Sequence, residues 1–295
     1  METPPEPGLM ERIANLKPSL TPKGRQLADF VVQNPRQAVF LRTRGLAAEC
    51  GVSESTVVRF VGQLGFAGYG DFIQALRDHL DRDLTLVDRV ELSQRGGPGA
   101  DRIRRDIFNE IANLHRLAET LDPQAVAAAV ARLAQAPRLY LVGSRLSYAL
   151  AYYLGWALSR LRPEVHTLAG SDTTAIDTLS LAPAGSLVVI VATSRYPNEL
   201  LRLARLTRRL GLELLVISDS SLCPLNQFAS HSLVAPCRHI PVVGSPNSLI
   251  CLINCLIGGL VDQGGEALRQ HQLALEQTYL ENDLLFNLEE PGRRS

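Results

Sequence analysis

Between Leu139 and Ile217 the chain carries four short apolar runs, Leu139 to Val142, Val165 to Leu168, Leu187 to Val191 and Leu214 to Ile217. Helix-length segments separate them, among them Leu146 to Leu161 and Asn198 to Leu210. Short apolar runs of four or five residues suit buried strands, and strands that alternate with helices build a parallel sheet with helices on either side. A weaker fifth strand is expected at Ser232 to Ala235, covered by a core helix from Ser248 to Val261, with a last amphipathic helix from Glu266 to Leu285. Upstream, Ile103, Ile107, Ile111, Leu114 and Leu117 form a helical stripe over Arg102 to Thr120, and Asp122 caps a second helix reaching about Ala134.

The residues before about 90 show no alternating β-branched run and read as helices only: Leu9 to Leu16, Pro22 to Gln33 capped by Thr21, and short helices punctuated by Gly51 and Gly65. The segment Ser93-Gln-Arg-Gly-Gly-Pro-Gly-Ala100 is the best linker. The expected organisation is an all-α domain over 1–84, a linker over 85–101, and an α/β domain over 102–290 with a five-stranded parallel sheet. The length of 295 residues agrees with two domains.

Composition narrows the function classes. Thirty basic residues balance thirty acidic ones, which excludes a globally basic nucleic-acid coat but not a local basic face. Five cysteines without a C-x-x-C pair suit reduced thiols of a cytoplasmic protein. Met1 to Met10 lacks the basic and apolar runs of a signal peptide, and Ser248 to Val261 is too short to span a membrane, so no membrane partner is expected. The six histidines show no metal-ligand spacing, and neither metal nor cofactor is expected.

The strongest local signal runs from Leu46 to Gly65. Leu46, Ala47 and Cys50 make an apolar face, Gly51 can adopt the left-handed backbone that ends a helix, Val52 plugs the angle, and Ser53 caps the next helix. That helix buries Val57, Phe60, Val61 and Leu64 and presents Ser53, Glu54, Ser55, Thr56 and Arg59 on its other side. Short polar groups near a helix start, with one cation, suit a helix laid in the major groove. A helix pair with a merely solvated polar face is the alternative. Lys23, Arg25, Arg42, Arg44 and Arg59 could supply a basic face.

Leu46-Ala-x-x-x-Gly-Val-Ser-x-Ser-Thr-Val-Val-Arg-Phe60, followed by Leu64-Gly-Phe-x-Gly-Tyr-x-x-Phe72, resembles the N-terminal domain of the RpiR/MurR family of bacterial transcriptional regulators. The resemblance implies a helix-turn-helix DNA-binding domain followed by a sugar isomerase (SIS) domain. It places Ser53 to Arg59 on the recognition helix, with Gly68-Tyr69 turning the chain into a supporting helix from about Asp71 to Asp81. The DNA-contacting candidates are Thr43, Arg44, Ser53, Glu54, Ser55, Thr56, Arg59 and Tyr69, the last with a packed aromatic as its alternative. The expected partner is a double-stranded, palindromic operator bound by a homodimer or homotetramer.

Two loops fit the carboxyl ends of the strands, where a parallel sheet of this kind holds small anions: Gly143-Ser-Arg-Leu-Ser147 and Thr193-Ser-Arg-Tyr-Pro-Asn-Glu199. Each joins hydroxyls to an arginine, a residue suited to phosphate or carboxylate. The ligand candidates are Gly143, Ser144, Arg145, Ser147, Asp172, Ser194, Arg195 and Glu199. The alternative has both arginines in salt bridges, for example with Asp172 or Glu199. SIS domains typically show Gly-x-Gly-x-Ser and Ser-Gly-x-Thr-x-Glu in these loops. Here Arg145 and Arg195 replace glycines and Pro197 replaces the threonine, so a sugar phosphate competes with a sugar acid or other carboxylate as the expected metabolite. Asp219 to Leu225 resembles the family's Thr-Asp-x-x-x-Ser-Pro-Leu stretch, with Ser218 and Cys223 at the threonine and serine positions, and Cys223 is expected to be structural. A sugar-phosphate isomerase would need a general base such as Glu199, and the helix-turn-helix would have no purpose there. The expectation is a non-catalytic regulator, the alternatives being an isomerase-like enzyme or an SIS domain that only dimerises.

Overall fold

The structure is a computed structural model and describes residues 8–80, 87, 90, 100–168, 173–235 and 245–284. These residues form two compact units, which divide between Asn113 and Leu114, with Ser245 belonging to the first.

The first unit contains helices α1 (Leu9–Leu16), α2 (Pro22–Gln33), α3 (Pro35–Ala38), α4 (Thr43–Glu49), α5 (Glu54–Gln63) and α6 (Tyr69–Leu80). Pro22 occupies the first turn of α2, where its missing N–H costs nothing, and the Thr21 hydroxyl accepts the Gly24 N–H at 3.2 Å. Ile13, Leu27, Val31, Leu46, Val57, Phe60, Phe72 and Leu76 form the core. Within it, Phe60 meets Phe72 edge-on with ring centres 6.1 Å apart. The four-residue α3 was not marked in the sequence because one turn carries no period. The supporting helix α6 starts two residues before the expected Asp71.

Helix α7 (Ala100–Thr120) carries the expected apolar stripe, but only its last member is covered. Leu117 is buried, whereas Ile103, Ile107, Ile111 and Leu114 are exposed, as is Phe108 beside them. The linker expected over 85–101 lies outside the described residues except for Val87, Val90, Ala100 and Asp101.

The second unit follows α7 with α8 (Pro123–Gln135), β1 (Leu139–Val142), α9 (Leu146–Ser159), β2 (Val165–Thr167), α10 (Thr173–Ser180), β3 (Leu187–Ala192), α11 (Asn198–Arg209), β4 (Glu213–Ser218), β5 (His231–Val234), α12 (Asn247–Gln263) and α13 (Gly265–Glu281). All five strands are parallel, in the order β2-β1-β3-β4-β5. Successive side chains point to opposite faces, so the central strands β1, β3 and β4 each serve two cores, while the edge strand β2 is only partly buried. Leu139, Leu141, Val189, Val191, Leu215 and Ile217 pack with α8, α9 and α12. Tyr140, Val142, Val188, Ile190, Leu214 and Val216 pack with α10 and α11 through Ala175, Leu179, Leu200, Leu203 and Ala204. Each fully buried Leu or Val contributes about 1.5–3 kcal/mol relative to exposure, so the sheet is held from both sides. The end of α8 is closed from a distance, the Arg162 guanidinium donating to the carbonyls of Leu133, Ala134 and Ala136.

Helix α12 is the expected core helix, with Leu249, Leu252, Ile253 and Leu256 buried. Asn254 leaves that core and accepts the Tyr153 hydroxyl at 2.7 Å. Helix α13 buries none of its residues. Helix α10 was not marked in the sequence because its eight residues bury only Ala175 and Leu179. Among the described residues no single helix is long and apolar enough to cross a membrane.

Candidate functional site

In the first unit, α4 is followed by Cys50 and Gly51, whose φ of +58° lets the chain reverse in left-handed backbone that residues with a Cβ occupy only at a cost. Val52 returns its N–H to the Ala47 carbonyl at 2.9 Å and packs on the core, setting the angle between α4 and α5. Ser53 caps α5: its hydroxyl accepts the Thr56 N–H at 3.3 Å and lies 2.8 Å from the Thr56 hydroxyl and 2.9 Å from that of Ser55. Three of the four small hydroxyl groups considered for DNA contact are thus engaged with one another.

The outward face of α5 consists of Glu54, Ser55, Val58, Arg59, Gly62 and Gln63, all exposed, with Thr56 half-buried. Arg42, Arg44 and Arg59 are exposed and have no acidic partner among the described residues, while Thr43 is half-buried. Tyr69 takes the packed role. Its ring sits 5.8 Å from that of Phe72 and its hydroxyl donates to the Leu41 carbonyl at 3.0 Å, using the proton it could have offered a phosphate. Burial pushes the phenol up to about 12, so it stays neutral at physiological pH.

In the second unit, β1 delivers Gly143-Ser-Arg-Leu-Ser147 to the start of α9, and β3 delivers the 193–199 loop to the start of α11. Gly143 is there because α9 passes over it: a Cβ would lie 2.3 Å from the Ser147 carbonyl oxygen and 2.7 Å from the Tyr148 Cα. Ser147 is buried and closes this turn on itself, its hydroxyl accepting the Ser144 N–H at 3.0 Å and donating to the Ser144 carbonyl at 2.9 Å. The Ser144 hydroxyl reaches across to donate to Glu199 Oε1 on the first turn of α11, tying the two loops together. The Ser194 N–H donates to Asp219 Oδ2 at 2.7 Å and the Tyr196 hydroxyl to Asp219 Oδ1 at 3.0 Å, so the residue after β4 anchors the second loop. Burial, with the Asp219 carboxylate beside it, pushes the Tyr196 hydroxyl far above the ordinary phenol value.

Two backbone angles set these loops apart. Arg145 has φ +55° with ψ −125°, and Arg195 has φ +67°. Side chains other than glycine occupy such backbone at a cost of order 1–3 kcal/mol. Both arginines are exposed, and neither side chain forms a hydrogen bond or ion pair among the described residues. The salt bridge considered with Glu199 is absent, because that carboxylate holds Ser144 instead. Asp172 lies outside the described residues.

Asp219 and Tyr196 are the loop residues that sequence reasoning left out of the site. The available signal was a carboxylate directly after a buried strand, at the sheet end where the loops gather. Cys223 is buried, and burial raises its thiol above the ordinary value, which makes it a poor nucleophile. Among the described residues no group of three or more His, Cys, Asp or Glu is placed to hold a metal ion.

Residues 7–83 match the helix-turn-helix domain of the rpiR family, and residues 132–250 match the SIS domain. The HTH-type transcriptional regulator HexR of Pseudomonas aeruginosa is 30% identical over 208 residues, covering 70% of this chain and 72% of that protein. The Bifunctional protein glk of Burkholderia mallei is 27% identical over 251 residues, but the match spans only 38% of its length. The Vibrio vulnificus NanR protein, solved in complex with ManNAc-6P, shares the fold with a TM-score of 0.59 at 22% identity, covering 95% of this chain and 100% of that one. The sugar isomerase domain of an RpiR transcription factor from Sphaerobacter thermophilus aligns with a TM-score of 0.54 at 27% identity, over 61% of this chain and 96% of that one. A helix-turn-helix with an exposed polar second helix, joined in sequence to a five-stranded SIS fold, thus has its counterparts among regulators, and the chain belongs to the RpiR family of DNA-binding transcriptional regulators.

Proposed function

We propose that the SIS domain of this regulator senses a small anionic metabolite at the 143–147 and 193–199 loops, and that ligand binding changes operator affinity. The observation that carries this reading is the pair of arginines at Arg145 and Arg195. Each is exposed, lacks a partner among the described residues, and occupies backbone that glycine would occupy at lower cost. Ser144 and Glu199 join the two loops that bear them. A guanidinium on each loop suits a ligand bearing phosphate or carboxylate oxygens, which both arginines can bind in forked geometry. The NanR structure with ManNAc-6P supports a sugar phosphate as the first class to try, while the loss of two glycines and a threonine keeps sugar acids beside it.

On the DNA side, α5 enters the major groove, and Arg59 supplies a charge-assisted base contact with Glu54 and Ser55 beside it. A palindromic operator requires two copies of this helix, and the exposed apolar face of α7 favours a homodimer or larger assembly. Changing Arg59 to alanine is expected to weaken operator binding by about 1–3 kcal/mol in a fluorescence-anisotropy titration. Unchanged affinity would put another element in the groove.

The ligand reading is tested by thermal unfolding of the full chain against sugar phosphates, the same sugars without phosphate, and sugar acids. A specific ligand at a hundred times its Kd stabilises by about 2.7 kcal/mol. Stabilisation by one anionic class, together with a change in operator affinity, is the expected result. Silence from every anion would reduce the domain to an assembly module.

A further inference from the structure

The two adjacent valines of α5 have opposite fates. Val57 is fully buried in the core of the first unit, and Val58 is 59% exposed on the outward face. An exposed β-branched residue in mid-helix gains no burial and has a modest helix propensity, so neither packing nor local structure explains Val58. Its neighbours on that face are Ser55, one turn before, and Gly62, one turn after. At 1.5 Å per residue these three positions span about 10 Å of helix, roughly the rise of three base pairs.

Gly62 adds an independent observation. A Cβ placed there would meet nothing within 4 Å, and its φ is not among the positive values. Neither packing within the chain nor backbone conformation requires glycine at that point. A surface that approaches the α5 backbone from outside would require it.

The hydroxyl groups at the start of α5 are engaged with each other through Ser53, which leaves Glu54, Arg59, Gln63 and the two methyls of Val58 facing outward, Val58 being the apolar group among them. In the major groove the base edges offer donors, acceptors and one apolar group, the C5 methyl of thymine. We infer that Val58 is a specificity-determining residue that reads a thymine methyl in each operator half-site, with Gly62 allowing the helix to lie close enough for the contact. This inference rests on α5 being the helix in the groove.

The test uses the full-length protein and a duplex recovered by selection from a random-sequence library. Each thymine of the enriched duplex is replaced in turn by deoxyuridine, which removes the methyl and keeps the base pair. At one thymine per half-site the wild-type protein is expected to lose about fourfold in affinity, the worth of one buried methyl. In the Val58→Ala variant, whose change lies on an exposed face, the same replacement is expected to cost less than twofold while the other positions behave as before. Wild-type binding indifferent to deoxyuridine at every position would overturn the proposal, as would a methyl effect that survives unchanged in Val58→Ala. Failure of the library to yield any enriched sequence would overturn the DNA-binding role of α5 itself, a result distinct from sequence-selective binding without methyl dependence.

Discussion

The first unit meets its need for left-handed backbone with Gly51 and Gly65, at φ +58° and +86°, and the second does the same at Gly185 and Gly211, whereas its 143–147 and 193–199 loops place Arg145 and Arg195 there. At Gly51 and Gly65 a Cβ would meet no atom within 4 Å, so only backbone conformation selects the glycine. The turn between α4 and α5 needs a shape and nothing more. In the SIS loops the same kind of backbone carries long cations, and the strain is retained. The difference separates a position chosen for conformation from one where the side chain outweighs conformation, and it directs attention to the two guanidinium groups.

The largest expected effect comes from the one glycine that the 143–147 and 193–199 loops keep. Gly143→Ala drives a Cβ into the α9 backbone, which cannot yield as a side chain can, and should destabilise that unit by about 3 kcal/mol. Trp156, the chain's single tryptophan, sits on α9 and reports the loss in a urea titration followed by fluorescence. A change below about 1 kcal/mol would mean that the strand-to-helix turn is pliable, and the strain read at Arg145 would lose its meaning.

The next effect lies in the first unit and depends on pH. Tyr69 has its folded-state value pushed up to about 12 from an ordinary value near 10. The neutral phenol is therefore favoured by folding. Its contribution is fully present below about pH 10 and is lost as pH rises from there through about 12, on the order of 2 kcal/mol in total. Tyr69→Phe should remove that part of the alkaline slope and cost about 1 kcal/mol at neutral pH through the bond to Leu41. Identical alkaline unfolding of the two proteins would contradict the buried placement of the hydroxyl.

The smallest effects bear on the comparison most directly. Gly51→Ala should cost about 1 kcal/mol, since only backbone conformation is at stake. Arg195→Gly should leave stability unchanged or raise it by about 1 kcal/mol while abolishing the thermal shift given by the anion. If Arg195→Gly destabilises the protein and the anion response persists, the arginine is structural and the contrast between the two regions disappears.

Much of the fold was legible because it rests on local chemistry repeated along the chain. Thr21, Ser53 and Asp122 were readable as caps from residue type and spacing, and each side chain accepts the expected backbone N–H. The strands announced themselves as apolar runs, and their boundaries agree to within two residues. The burial that the runs implied holds for β1, β3 and β4 and not for the edge strand β2, whose His166 is exposed. Helices α3 and α10 are not legible in the sequence, because one turn and eight weakly apolar residues carry little period. The site was legible only in part. The loops and their arginines could be named, but Ser144 to Glu199 and Asp219 to Ser194 and Tyr196 are bonds between segments tens of residues apart.

The sequence by itself determined most of the order of helices and strands, the helix-turn-helix and the positions of the two arginine-bearing loops, because periodicity, caps and turn residues act over a few neighbours. Only the tertiary structure decided which groups remain available. The Ser147 and Tyr69 hydroxyls, both candidates by residue type, are taken by internal carbonyls, and the Glu199 carboxylate is taken by Ser144. Val58 stands outside the core next to a buried twin, and Arg145 and Arg195 are left without partners among the described residues. A side chain's type fixes what it can bind, but its availability depends on what the fold brings within about 3 Å of it.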